Sequence, residues 1–281
     1  MGSSWLDLAT QRWVRATGRR VDLSAERWLQ GPVGGTDVIG SSWLSAEADR
    51  LEASVTPSGQ PAGLLASMAA LDGDAFTAAD LAPSVRDFYE QTSRWRLDAW
   101  VAWSSWAWPF GWLLSTAFAR RLEQLALPLR PLDVAHGMTS TVTPLRRDGE
   151  QVAALWLRRL RSTGVVVFSG LYSAVAPRGS QSPAIKVAFP LPNGRLVVLL
   201  TPRVGDQGSL VLSSSRGGWG GQGAYLVVDT PGGSWARRIP IHEQFHVHVD
   251  DEGVLRTDHS LALGPLPVLR LHYRLTPSQD A

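Results

Sequence analysis

Three histidines share one side of a short stretch in which polar and apolar residues alternate. Residues 241–250 read IHEQFHVHVD, with polar side chains at the even positions and apolar ones at the odd positions, apart from Glu243. Successive side chains of a β-strand point to opposite faces of the sheet. The spacing therefore predicts that His246 and His248 project together, with His242 further along the same face.

The turn after this strand predicts a partner for one imidazole. If Asp251, Glu252 and Gly253 form a three-residue loop, His246 faces Asp258 across the hairpin. A carboxylate that orients an imidazole is the usual construction of a general base. We therefore take His246 and Asp258, with His248, as candidate catalytic residues. The alternative is a solvated sheet face with ordinary cross-strand pairs.

The same histidines could ligate a metal ion, because an H-x-H pair on a strand places two imidazoles side by side. With Glu252 the segment is faintly similar to the first motif of cupins, but Pro240 and His259 occupy the positions where that motif has glycine. Glu252 also falls in the predicted turn. We therefore predict no metal and no cofactor.

A second candidate site comes from tryptophans, six of which lie between positions 95 and 112. We read residues 84–127 as two helices interrupted at Pro109, packing over a cavity as its cap. Large rigid indoles can wall a flat apolar ligand. The predicted ligand-binding residues are Trp100, Trp103, Trp106, Trp108, Trp112, Phe168 and Tyr172. The alternative is that the indoles contact a membrane surface, with the flanking arginines at the lipid head groups.

These candidates need a scaffold, and the chain divides near residue 130. Helical signals dominate residues 1–130, beginning with a helix predicted from about 5 to 17. Residues 131–281 alternate short strands with turns such as Pro192-Asn193-Gly194. The prediction is an α+β protein in which an N-terminal helical region precedes an antiparallel β-barrel-like sheet.

Composition excludes several classes of function. The chain has 281 residues, a net charge of +2 and no cysteine, which rules out disulfide frameworks and thiolate sites. Basic residues are not clustered with strand aromatics, so we predict no nucleic-acid partner. A G-x-G-x-x-G sequence at 218–223 precedes a predicted strand instead of a helix, which argues against a dinucleotide site. Lys186, the single lysine, is predicted on a solvent face. Arg158 and Arg159 are also predicted to be exposed, with anion binding as the alternative role for this arginine pair.

Location and source follow from weaker signals. No apolar stretch follows a basic start, so a cytoplasmic protein is predicted. The basic residues are almost all arginine, and alanine, leucine and glycine are frequent, a composition typical of genomes of high GC content such as those of actinobacteria.

The second half resembles bacterial barrel domains of unknown function, which are similar in style to helix-grip and lipocalin-like lipid carriers. The likeness rests on Trp156-Leu157-Arg158-Arg159, on the turn-rich middle and on the ending LRLHYRL at 269–275. It implies a cavity for an apolar molecule.

Three functional hypotheses result. The first is binding of an apolar small molecule or lipid in a barrel cavity capped by the tryptophan helices. The second is a cofactor-independent isomerase, cyclase or hydrolase that uses His246 and Asp258 in the same cavity. The third is a peripheral membrane or protein-interaction domain.

Overall fold

A computed structural model describes residues 5–35, 40–56, 61–107, 137–177, 182–214 and 217–278. Within these ranges there are three α-helices, all in the first third of the chain: α1 (Trp5–Thr17), α2 (Leu44–Arg50) and α3 (Pro83–Glu90). The predicted first helix is confirmed. Of the helices that the structure describes, none is both long and apolar enough to span a bilayer.

Strands make up most of the rest. Their bounds are β1 Arg19–Val21, β2 Ser54–Val55, β3 Trp95–Trp103, β4 Met138–Arg147, β5 Glu150–Leu160, β6 Val166–Val175, β7 Ala184–Leu191, β8 Gly194–Val204, β9 Leu210–Ser213, β10 Gly223–Thr230, β11 Gly233–Ile239, β12 Ile241–Val249, β13 Leu255–Leu263 and β14 Leu266–Pro277. All their pairings are antiparallel.

Ten of these strands close a barrel. They pair in the order β8-β7-β6-β5-β4-β3-β14-β13-β12-β9, and β9 returns to pair with β8. A closed sheet leaves no free edge within the ring. The strands β10, β11 and β1 extend from β8 outside the ring. The predicted α+β class, with an antiparallel barrel after the helices, is confirmed.

The segment 61–94 packs against one end of the barrel core. Proline at the first position of α3 suits a helix start, and Val85, Phe88 and Tyr89 follow at the i, i+3, i+4 spacing of one apolar face. Phe88 meets Trp156 of β5 edge-on, with ring centroids 6.4 Å apart. Gly63 packs so closely on the end of α3 that an added Cβ would lie 2.3 Å from the carbonyl oxygen of Glu90.

Residues 23–35 and 40–53 cover the outside of the barrel. Trp28, Leu29 and Trp43 pack on the outward side chains of β5 to β8 and β10. Lys186 of β7 lies beneath this layer, and its Nζ donates to the carbonyl oxygen of Gln30 at 3.1 Å. The predicted solvent exposure of Lys186 is therefore wrong, because sequence alternation does not reveal that both faces of β7 are covered.

The tryptophan segment differs from the prediction. Residues 95–103 form strand β3, which hydrogen-bonds along its whole length to β14. The helix predicted across these residues is wrong, because pairing with a distant strand overrides the local helical pattern. The rest of the predicted helix pair beyond residue 107, and the predicted domain boundary near residue 130, lie outside the described residues.

Candidate functional site

The predicted hairpin between β12 and β13 has the expected register. His246 lies opposite Asp258, and His248 lies opposite Arg256. The three-residue loop closes as predicted, with the Asp250 amide donating to the carbonyl of Val254 at 2.9 Å. Alternation and loop length were sufficient here because a one-residue slip would exchange the two faces of the hairpin.

The face that carries these residues is the outer one. The odd-numbered side chains Phe245 and Val247 pack into the core inside the barrel, so His246 and His248 project outwards. The prediction that His246 and Asp258 act inside the barrel cavity is therefore wrong. A catalytic role for His246, His248 and Asp258 on the outer face remains a prediction.

On the outer face, four side chains from three neighbouring strands come together. We call His246, His248, Asp258 and His272 the outer histidine cluster. The rings of His246 and His248 stack with centroids 4.5 Å apart, and His272 Nδ1 lies 2.8 Å from Asp258 Oδ1. One donor atom from each of His246, His248 and Asp258 can be chosen so that all lie within 4.8 Å of one another.

The electrostatics of His246 favour the neutral ring. Burial lowers the pKa of His246, and the neighbouring His248 lowers it further, whereas Asp258 and Asp206 act in the opposite direction. A neutral imidazole keeps one nitrogen lone pair, which can accept a proton or bind a metal ion.

Two depressions of the surface meet at His246. One, of about 530 Å³, is bordered by Trp100, Arg270 and His272, and the other, of about 480 Å³, by Arg203 and Asp206. The outer histidine cluster is therefore reachable by a small molecule or an ion.

A second group of polar residues lies inside the barrel and was missed from the sequence. Arg158 of β5 is 9% exposed, and its guanidinium carbon lies 3.6 Å from the ring centroid of Trp156 and 4.9 Å from that of Phe168. It hydrogen-bonds with Tyr273, but its Nε has no hydrogen-bond partner, and no carboxylate forms an ion pair with it, among the described residues. The prediction that Arg158 is exposed is wrong.

Glu243 and His259 complete this group. Their Oε2 and Nε2 atoms are 3.8 Å apart, and the imidazole of His259 stacks on Phe245 with ring centroids 3.8 Å apart. Burial raises the pKa of Glu243 to about 7 and, with a further contribution from the charge of Arg158, lowers the pKa of His259 to about 3. We call Arg158, Glu243 and His259 the interior polar cluster.

Aromatic side chains surround the interior polar cluster. The predicted ligand-binding residues Phe168 and Tyr172 are here, each edge-on to Trp156 at centroid distances of 5.4 and 5.5 Å. Burial raises the pKa of both Tyr172 and Tyr273, so their hydroxyls stay protonated and can donate hydrogen bonds. Phe189 also packs edge-on against Phe168.

The predicted tryptophans do not gather at this interior. Trp100 is 48% exposed on the outer face beside His272, and Trp106 is 41% exposed with its Nε1 donating to the carbonyl of Pro267. Trp103 packs, partly buried, on Val101 and Leu269, in a small cluster separate from the main core. The predicted cavity lining by Trp100 and Trp106 is therefore wrong, while Trp108 and Trp112 lie outside the described residues.

One sequence signal pointed to the interior. Glu243 was the only polar residue on the otherwise apolar side of residues 241–249. A charged residue on a core-facing side is rare unless it has a function or a partner. Arg158 carried no such signal, because its neighbour Arg159 suggested an ordinary solvated strand.

Comparison with known proteins shows similarity to a bacterial membrane protein. Over 218 residues the chain is 29% identical to the uncharacterized membrane protein YndJ of Bacillus subtilis (strain 168). The matched residues are 76% of this chain and 38% of that protein, so the chain spans well under half of the relative's length. No protein-family model matches the chain, and no solved structure matches it significantly.

Proposed function

We propose that the barrel binds an apolar small molecule or lipid that carries a carboxylate, with Arg158 as its anchor. The apolar part of this ligand lies against the aromatic side chains Phe168, Tyr172 and Phe245.

The observation that carries the proposal is the buried guanidinium of Arg158. Burying a charge is costly unless it is paired, and arginine is suited to bidentate recognition of a carboxylate. No carboxylate of the described residues pairs with Arg158, and stacking on Trp156 supplies only part of the compensation. A ligand carboxylate would supply the rest.

The other polar groups suit the same ligand. Glu243 holds its proton up to a pH of about 7 and can donate a hydrogen bond, as can the hydroxyl of Tyr273. The side chains of Glu243 and His259 keep 18% and 12% of their surface exposed although they face the barrel interior.

The test is displacement of a fluorescent fatty acid from the purified full chain. We expect the protein to bind the fatty acid more tightly than its methyl ester. Arg158→Met, which keeps the apolar stem, should weaken fatty-acid binding roughly 10- to 100-fold, the value of hydrogen bonds to a charged group. The matched control is Arg159→Met on the opposite face of β5, which should bind as the wild type does.

Two results would overturn the proposal: a wild-type protein that binds neither ligand, or an Arg158→Met protein that binds the fatty acid unchanged. Arg158→Lys guards against a folding defect, since it keeps the charge but not the bidentate geometry and should give an intermediate affinity. Native mass spectrometry of the purified protein would identify a co-purified ligand directly.

Catalysis and membrane contact stay predictions.

A further inference from the structure

We propose that His246, His248 and Asp258 bind a divalent transition-metal ion of the zinc class on the outer face of the barrel. This site is separate from the ligand site proposed above, because the two lie on opposite faces of the same hairpin. It does not depend on the function of the interior.

The donor set and its spacing carry the inference. Two imidazoles and one carboxylate are the ligands that zinc takes in many proteins. Their donor atoms lie within 4.8 Å of one another, whereas the ligands of a tetrahedral zinc ion at about 2.0–2.1 Å lie roughly 3.4 Å apart. Strand pairing holds the backbones of all three residues in place, so a metal ion would need only rotation about their side-chain torsions to draw the donor atoms together.

The neighbouring charges leave the carboxylate available. Arg256, two residues before Asp258 on β13, is held by Asp250 through a contact of 2.6 Å between Nε and Oδ2. Arg256 therefore does not compete with an ion for the carboxylate of Asp258. Arg203 and Arg270, together with Asp206, border the adjoining depressions.

His272 is a positioning residue for this site. Its Nδ1 lies 2.8 Å from Asp258 Oδ1, so one carboxylate oxygen is engaged by His272 and the other stays available for an ion. Partners of this kind orient a ligand and raise its basicity, and their loss typically weakens metal binding 10- to 100-fold.

Three protein ligands leave at least one coordination position for water, as in catalytic zinc sites. The depression beside Trp100 gives a small molecule access to that position. From the sequence, Glu252 was the candidate for a third ligand. In the structure Glu252 is instead near Arg256, and Asp258 of the facing strand takes the third place.

The experiment uses the full chain without a histidine tag, treated with a chelator and then titrated calorimetrically with Zn²⁺. We expect one bound ion per chain. His246→Ala and Asp258→Asn should each weaken binding by at least about 100-fold, since they remove a direct ligand. The control is His242→Ala, four residues earlier on the same face and roughly 13 Å away along the strand, which should leave the affinity unchanged.

Titration with Co²⁺ adds a readout that does not depend on stability. A tetrahedral site gives intense visible absorption, and His272→Asn should shift that spectrum and weaken binding about 10- to 100-fold while the protein stays folded. The proposal fails if the wild type binds no Zn²⁺ at micromolar concentrations. It also fails if His246→Ala and His242→Ala affect binding equally, or if the bound cobalt spectrum is that of the hydrated ion.

Discussion

Glu243 and His259 face each other inside the barrel with 3.8 Å between Oε2 and Nε2, and burial keeps the carboxyl protonated up to a pH of about 7 beside a neutral imidazole. The pKa of Glu243 is raised and that of His259 is lowered, because burial disfavours the charged form of both groups. Each group therefore titrates well away from its ordinary range, the carboxyl of Glu243 at higher pH and the imidazole of His259 at lower pH. Their pH responses have opposite signs and can be separated by substitution.

Glu243→Gln should change how stability depends on pH. The folded protein holds the Glu243 proton up to a pH of about 7, above the ordinary value of 4.5, so this group's contribution is full below pH 4.5 and declines as the pH rises to about 7. The variant lacks this decline. We expect the two proteins to be similar at pH 4 and the variant to be more stable by about 3 kcal/mol at pH 8. Urea unfolding at a series of pH values measures the difference, and parallel curves would contradict it.

His259→Leu should stabilise the ligand-free protein in acid. The unfolded chain protonates this histidine below pH 6.5, but the folded chain does so only near pH 3, so wild-type stability falls as the pH drops between these values. Both ring nitrogens also lack a hydrogen-bond partner among the described residues. We expect a gain of about 2 kcal/mol at pH 5, shrinking towards neutral pH. Thermal unfolding of both proteins at pH 5 and pH 8 measures this gain. A stability change that is the same at both pH values, or a loss at both, would contradict a buried, neutral His259.

Lys186→Met tests the covered outer face of the barrel. Burial lowers the pKa of Lys186 from its ordinary 10.5 to about 8, so stability is lost as the pH falls from 10.5 to 8 and stays constant below. Methionine removes that cost, which is about 3 kcal/mol, but also the hydrogen bond to Gln30, worth about 1 kcal/mol. We expect a net gain of about 2 kcal/mol at pH 7, measured by chemical unfolding. If Lys186→Met instead lowered the free energy of unfolding by about 2 kcal/mol, the attraction of Glu47 would fully offset the cost of burying the Lys186 charge.

Gly63→Ala should disrupt the packing of segment 61–94 on the end of the barrel and destabilise the protein. The new Cβ would meet the backbone carbonyl of Glu90, which cannot move without shifting α3. We expect a loss of at least about 2 kcal/mol in the free energy of unfolding. The matched control is Gly218→Ala, where a Cβ meets nothing within 4 Å and the change should stay within about 0.5 kcal/mol. Equal effects would show that segment 61–94 is not packed as described.

Fatty-acid binding should weaken above neutral pH if the proposed function holds. Ionisation of Glu243 near pH 7 places a negative charge beside the ligand carboxylate and removes a hydrogen-bond donor. We expect a roughly tenfold loss of affinity between pH 6 and pH 8 in the wild type. In Glu243→Gln the affinity should be flat over that range. The displacement assay measures both, and a wild type without pH dependence would place the carboxylate away from Glu243.

Much of the hairpin that carries the candidate residues could be predicted from the sequence. Period-two alternation and a three-residue loop identified the pairing of His246 with Asp258, since both depend only on neighbouring residues. Helix α1 and the antiparallel class followed from equally local signals. The tryptophan segment failed because β3 is stabilised by β14, more than 160 residues later in the chain. The β-strand and helix propensities of single residues carry no information about a partner strand so far away in the sequence.

The sequence by itself determined which side chains share a face of β12, because alternation is a property of the strand alone. Only the tertiary structure decided which face is inside. Closure of the ring through β9, and packing of the core, turned Glu243 inwards and His246 outwards. Closure also placed Arg158 inside the barrel, whereas Lys186, on the other side of the barrel wall, is buried by the covering layer that contains Gln30. Burial depends on what distant segments cover, and for that physical reason the sites proposed here exist only in the folded chain.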